Sequence, residues 1–401
     1  MTKKASISYL GLSLGILLLL PVALAAPSPS ITTFTSPNVQ TDGRFGESVA
    51  VSGNILVVGA LFETAGASPP CPCARAGHAY IFSTTGSLIA TLTSPNVETD
   101  GWFGFPVAVS GTIVVVGAEN ETVGGIVGAG HAYIFSTTGS LIATLASPNA
   151  QSNGRFGESV AVSGNTVIVG APQESVSGLT QAGHSYVFTI AGSLIATLTS
   201  PNLQSFEYFG FSAATSGSTV VVGAPVAGAG HAYICSTTAC PATGTLTSPN
   251  AVPSGSFGRS VAMSGSSIVI GAYFENVNGL RAGRAYIFNI TGSLNATLVS
   301  PNPTNNGYFG FEVAINGTRV VVGAPFEGHA YICSAAGCPA TGALSSPNGI
   351  IAVRFGWSVG VVPLAHRHFG VIVGDSGVTA GTSPPCPCSG AGHAYMYTLR
   401  S

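Results

Sequence analysis

Residues 147–199 read SPNAQSNGRFGESVAVSGNTVIVGAPQESVSGLTQAGHSYVFTIAGSLIATLT. Four short runs rich in Val, Ile, Tyr and Thr occupy 159–162, 166–169, 185–188 and 194–198. Those side chains suit a pleated sheet, and runs of about five residues are too short for helices. Ser163-Gly164-Asn165 joins the first run to the second, and Thr189-Ile190-Ala191-Gly192 joins the third to the fourth. Both are hairpin signals. The stretch therefore predicts a four-stranded antiparallel sheet.

The chain repeats this pattern seven times, with Ser-Pro-Asn opening each copy at Ser36, Ser94, Ser147, Ser200, Ser248, Ser300 and Ser346. Self-similarity at a period of roughly fifty residues points to propeller blades. The predicted fold class is all-β: a seven-bladed β-propeller over residues 31–401. The last copy ends after its third strand, near 394–397, and lacks a fourth. An orphan strand at 31–35 precedes the first Ser-Pro-Asn, where fourth strands stand elsewhere. It is expected to complete the last blade and close the ring, removing an open sheet edge.

Apolar residues make up 46% of the 401-residue chain, enough for a large core, and charged residues only 6%. The net charge is −2, with no basic stripe, which argues against nucleic acid as a partner. Lys3 and Lys4 open the chain, an apolar run over 9–24 is broken by Pro21, and Ala23-Leu24-Ala25 fits a small-x-small cleavage site. These features predict a signal peptide over 1–25 and a linker over 26–30. The alternative is an uncleaved anchor, for which the run is short. No later stretch is expected to span a bilayer, so the protein is expected to be secreted or displayed at the cell surface.

Phe45-Gly46, Phe103-Gly104, Phe156-Gly157, Phe209-Gly210, Phe257-Gly258, Phe309-Gly310 and Phe355-Gly356 recur at one position of the repeat. Gly-Ala-Pro follows at 170–172, 223–225 and 323–325, shortened to Gly-Ala in the first, second and fifth copies and replaced by Gly374-Asp375 in the seventh. The pattern resembles the FG-GAP repeat, the unit of the integrin α-subunit propeller. It is most similar to the bacterial and archaeal variety, with Ser-Gly-Asn turns and a Gly-x-Ala-Tyr-x-Phe third strand. The resemblance implies cell-surface adhesion. Integrin-type blades carry a carboxylate-rich Ca²⁺ loop between strands one and two. Here that turn has no carboxylate, so integrin-like Ca²⁺ binding is not expected.

Six copies place a histidine at the start of the third strand: His78, His131, His184, His231, His329 and His393. Five place a glutamate shortly after the second: Glu63, Glu121, Glu174, Glu275 and Glu327. A ring of imidazoles and carboxylates offers a cation site. Recurrence in nearly every copy favours a structural pair instead, so no metal or other cofactor is expected.

Cys235 with Cys240, and Cys333 with Cys338, lie in equivalent turns and are expected to form disulfides. Cys71 and Cys73, and Cys386 and Cys388, sit in two identical Pro-Pro-Cys-Pro-Cys runs. Secretion favours disulfides over a four-cysteine metal site there, with the connectivity open. Asn120, Asn289, Asn295 and Asn316 head glycosylation sequons. Gly356-Trp357-Ser358-Val359-Gly360 matches the hydrolase elbow in letters, but it aligns with an inner strand and is dismissed. His366-Arg367-His368 falls in an enlarged first turn and reads as a solvent loop.

No acid–base pair stands out against the repeat, so catalysis is not expected. The loops between strands two and three, and from each fourth strand to the next blade, vary and share one face. The expected function is recognition of an extracellular protein or glycan through that face, with self-association as a further partner. A structural envelope component and a carbohydrate-acting propeller enzyme are the alternatives.

Overall fold

The computed structural model of the chain describes residues 29–65, 73–240, 244–348, 354–379 and 389–400. The leader expected over 1–25, with Cys71, Cys386 and Cys388, lies outside them. The described strands form seven four-stranded antiparallel sheets, arranged as a seven-bladed β-propeller.

In the third blade the strands are Ser159–Ser163, Thr166–Ala171, His184–Thr189 and Leu194–Thr199. They are a little longer than the apolar runs, because backbone pairing continues through Ser163, His184 and Thr189. Hydropathy cannot register hydrogen bonds made by polar positions. The first hairpin turns over two residues, with Gly164 at φ 57°, where a side chain would be strained.

First strands line the axis, where Val49, Ala50 and Val51 and their counterparts form an apolar channel of about 260 Å³. The cores lie between blades rather than within them. Val115 and Ile134 of blade two pack with Phe156, Val167, Val169, Tyr186 and Phe188 of blade three. Phe156 sits edge-on to Phe188 with centroids 6.0 Å apart, a favoured aromatic geometry.

The seventh sheet pairs Ser30–Phe34 with His393–Arg400, followed by His368–Asp375 and Phe355–Leu364. Ser30 lies opposite Thr398 and Phe34 opposite Ala394. The N-terminal strand thus closes the ring. It starts one residue before the expected boundary, so Ser30 is strand rather than linker.

Cys235–Cys240 and Cys333–Cys338 are disulfides, with Cα atoms 4.4 and 4.3 Å apart. Cys73 is also disulfide-bonded. Gly356–Gly360 runs inside the strand Phe355–Leu364, so no nucleophile elbow exists there. His366 and Arg367 form the turn before His368–Asp375.

The Phe-Gly and Gly-Ala signatures meet between blades. A Cβ on Gly170 would fall far inside contact distance of the Gly210 carbonyl oxygen in the next blade. The same clash holds for Gly59 with Gly104, Gly117 with Gly157, Gly223 with Gly258, Gly271 with Gly310, Gly323 with Gly356, and Gly374 with Gly46. Gly210 N–H also donates to the Gly223 carbonyl at 3.1 Å.

Gly170→Ala is expected to destabilise the protein by about 2–3 kcal/mol through forced blade separation. Chemical denaturation checks this, and an unchanged midpoint contradicts the backbone contact. Deleting residues 30–34 is expected to cost at least the ~3 kcal/mol that losing a buried phenylalanine such as Phe34 carries. A melting temperature equal to that of the full chain speaks against strand-exchange closure.

Candidate functional site

Antiparallel order places the connections from second to third strands, and from each fourth strand to the next blade, on one face. Here it is called the loop face. Phe156 N–H donates to Ala129 O of the preceding blade at 2.9 Å, and Phe209 N–H to Ala182 O at 3.0 Å, which ties these connections together. All fourteen carboxylates of the sequence belong to this face. The opposite face, built of the short hairpins, carries Arg319, Arg367 and Arg400 of blades six and seven, with His366 and His368 beside them.

The recurring His and Glu residues resolve into a clamp within each blade. Glu174 is fully buried and accepts hydrogen bonds from Ser147 Oγ and Tyr186 OH at 2.5 Å and from His184 Nδ1 at 2.7 Å. The serine is that of Ser-Pro-Asn, so the clamp pins the start of a connection to the third strand. Glu121 accepts from Ser94 and Tyr133 likewise, but His131 Nδ1, 2.9 Å away, is not aligned for a hydrogen bond. Glu63 accepts from Ser36 and Tyr80, with His78 Nδ1 3.1 Å away and likewise not hydrogen-bonded. Glu275 accepts from Tyr286 and lies 3.7 Å from Arg284 Nε. Glu327 accepts from Ser300 and Tyr331, while His329 Nδ1 donates to the Glu327 backbone carbonyl at 2.7 Å. Burial pushes the Glu275 and Glu327 carboxyls above the ordinary range.

Blade four lacks the glutamate at this position. Glu207, from the preceding connection, supplies the carboxylate to Ser200 and Tyr233 at 2.7 and 2.6 Å. Sequence reading missed Glu207 because it lies outside the repeat register. Blade seven has only Asp375, fully buried, with neither carboxylate oxygen hydrogen-bonded. Burial raises its carboxyl to about 6, offset only in part by the Ser346 hydroxyl. Among the described residues the Nδ1 atoms of His231 and His393, like those of His78 and His131, have no hydrogen-bond partner. Among the described residues no group of three or more His, Cys, Asp or Glu side chains is placed to hold a metal ion.

The sequon residues are scattered. Asn295 is exposed on a fourth strand, and Asn316 is exposed at the end of a first strand. Asn289 Oδ1 accepts from the Thr291 and Ser293 N–H groups of its turn. Asn120 donates to Asp100 O.

A second constellation, absent from the sequence reading, lies at the axis. The residue after each Phe-Gly points into the channel mouth: Glu47, Phe105, Glu158, Phe211, Arg259, Phe311 and Trp357. The cavity measures about 150 Å³. These residues differ from blade to blade, so the repeat background hides them. Alignment on Phe-Gly alone, read one residue further, would have exposed them.

The mouth is organised by charge and π contacts. Arg354 lies 3.3 Å from Glu47 and stacks over Trp357 at 4.5 Å. Arg155 lies 3.1 Å from Glu119 and 3.4 Å from Glu158. Burial, with Glu158 close by, pushes the Glu119 carboxyl well above its usual range despite Arg155. Burial also raises Glu312 to about 7, against the pull of Arg259 and the Ser260 hydroxyl. Arg259 stands between Phe211 and Phe311, 4.8 and 4.6 Å from the ring centroids. Ionisable residues confined to one or two blades, Arg259 and the pair Glu47 and Glu158, therefore do converge there, beside the near-uniform His and Glu set that the sequence displays.

The FG-GAP repeat model matches residues 30–82, 87–135, 140–188, 193–235, 242–288 and 293–335. The chain belongs to the FG-GAP repeat family. No curated protein matches it by sequence. Among solved structures it is similar to virginiamycin B lyase from Staphylococcus aureus, at 8% identity and TM-score 0.59, covering 92% of this chain and 99% of that one. A streptogramin B lyase gives 10% identity and TM-score 0.59, covering 93% and 98%. The Pan2 WD40 domain of Neurospora crassa gives 11% and 0.51, covering 89% of each. At these identities the likeness shows the propeller fold alone.

Asp375 supplies a test of burial. Its folded pKa of about 6 exceeds the ordinary carboxyl value, so its contribution favours folding below pH ~4 and is lost as pH rises through 6. Asp375→Asn is expected to stabilise the protein at pH 7.5 by about 2 kcal/mol, with the gain vanishing toward pH 4. Denaturant midpoints across pH check both ends.

Proposed function

We propose that this FG-GAP propeller is a secreted or surface-displayed binding scaffold that recognises another macromolecule through its loop face. One observation carries the reading. The blade-specific side chains at the channel mouth lie on the same face as the long, variable connections, while the opposite face is built from short, nearly uniform hairpins. A constant frame that presents varied groups on one side is a recognition arrangement. Aromatic residues and arginines concentrated at the centre of that face match the make-up of interface cores.

Export is supported by the disulfides at Cys235–Cys240 and Cys333–Cys338, which persist in oxidising compartments. Among the described residues no helix is long and apolar enough to cross a membrane. A binding rather than catalytic role is supported by the pairing at the mouth, where Arg354 and Arg44 neutralise Glu47 and Arg155 serves Glu119 and Glu158.

A panel of immobilised extracellular proteins and glycans, probed with the intact chain, tests this. Binding is expected, and replacing Phe274, Tyr308 and Phe326 with serine should weaken it at least tenfold. These rings form one cluster on the loop face, with Phe326 46% exposed. Retention of full binding by that variant, or no binding across the panel, refutes the reading.

A further inference from the structure

The mouth holds four arginines, and three of them are spent. Arg44 and Arg354 face Glu47, and Arg155 faces Glu119 and Glu158. Arg259 is different. No ion pair or side-chain hydrogen bond engages its guanidinium among the described residues. Phe211 and Phe311 flank it at 4.8 and 4.6 Å, and it lines the cavity. Stacking engages the faces of a guanidinium, whereas its N–H donors lie in the plane. The two rings thus hold a rigid fork of free donors at the axis.

The groups facing that fork are few. Arg259 acts at a distance on Glu312, next to it in blade six, and on Glu119 of blade two, its charge pulling both carboxyls down without an ion pair to either. Tyr273 lies within its field from blade five. Glu47 and Glu158 are occupied by their own arginines. A half-buried cation with no ion pair among the described residues, in a cavity of about 150 Å³, is suited to one small anionic group rather than a bulky one.

We propose that Arg259 is the anchor for a carboxylate, an Asp or Glu side chain of a protein partner inserted into the channel mouth. The proposal rests on the loop face being the binding face. A planar carboxylate matches the fork bidentately. A sugar ring is the poorer occupant, because of the four aromatic residues at the mouth only Phe105 has no arginine stacked on it. Arg259 covers Phe211 and Phe311, and Arg354 covers Trp357, which also packs on Phe311 at 4.3 Å.

The neighbouring acids give the site a pH dependence. Below pH ~7 Glu312 is protonated and leaves the charge of Arg259 to the ligand. As pH rises through 7, the Glu312 anion competes for the same cation. Affinity is therefore expected to fall on the alkaline side, and Glu312→Gln should abolish that fall.

The probes are tetraglutamate, tetraglutamine and tetragalacturonate, titrated into the intact chain. The readout is intrinsic fluorescence, since Trp357, one of the chain's two tryptophans, lines the mouth and packs on Phe311. Tetraglutamate is expected to bind at pH 6 and tetraglutamine not to. Arg259→Gln should weaken tetraglutamate roughly tenfold or more while leaving the melting temperature in place. If that variant does not fold, the loss of alkaline sensitivity in Glu312→Gln decides the matter. Equal binding of tetraglutamate and tetraglutamine, indifference to Arg259→Gln, or binding of tetragalacturonate alone overturns the proposal. A panel partner that is lost with the aromatic-cluster variant but retained by Arg259→Gln also overturns it, while leaving the loop-face reading intact.

Discussion

The backbone of each blade touches the backbone of the next at a glycine. Gly170 against Gly210 is one instance of seven, and Gly374 against Gly46 closes the set. Nothing larger than hydrogen fits there, so this contact fixes how closely the sheets approach. The interblade cores depend on that spacing, because Phe156 fills the gap between Ile134 and Phe188 only at that separation. Serines reinforce the joint: Ser159 Oγ donates to Gly210 O at 2.7 Å, and Ser358 Oγ to Gly46 O at 2.8 Å. The recurring Phe-Gly and Gly-Ala are thus two halves of one interface, written far apart in the repeat and joined across neighbouring blades.

This explains why the scaffold was legible in the chain and the mouth was not. The signatures recur because every joint imposes the same steric demand, and a repeated demand leaves a repeated letter. The same logic made His184 and Glu174 conspicuous, since each clamp must satisfy the same buried serine and tyrosine hydroxyls. Blade four meets that demand with Glu207 from another segment, so the geometry is preserved while the letter moves. At Glu47, Phe105, Glu158, Phe211, Arg259, Phe311 and Trp357 no shared demand operates. Their side chains answer to the cavity instead, and variation among copies looked like noise. Strand ends were also blurred, because polar residues such as His184 and Thr189 pair through their backbones.

Two layers of polar chemistry therefore occupy the loop face. The outer layer is closed upon itself: Glu174 spends its oxygens on Ser147, Tyr186 and His184, and little remains for a ligand. The inner layer is incompletely satisfied, with Arg259 unpaired and Glu119 Oε2 without a partner. The seam departs from both. There Asp375 replaces the longer glutamate, and among the described residues its oxygens and Ser376 Oγ have no hydrogen-bond partner.

The closing strand gives the ring a history as well as a shape. Ser30–Phe34 precedes the six other blades in the chain, yet its partner His393–Arg400 follows them. More than three hundred residues separate the two sides of one ladder, so this pairing carries the greatest loop-closure cost in the molecule. Six blades can form from local hairpins as the chain emerges, whereas the seventh must wait until both of its distant segments are made. Until then the first blade and the last present bare flanks, and the nascent arc is open to pairing with a second chain in the same condition. A circle assembled in this way is all or nothing at its final step.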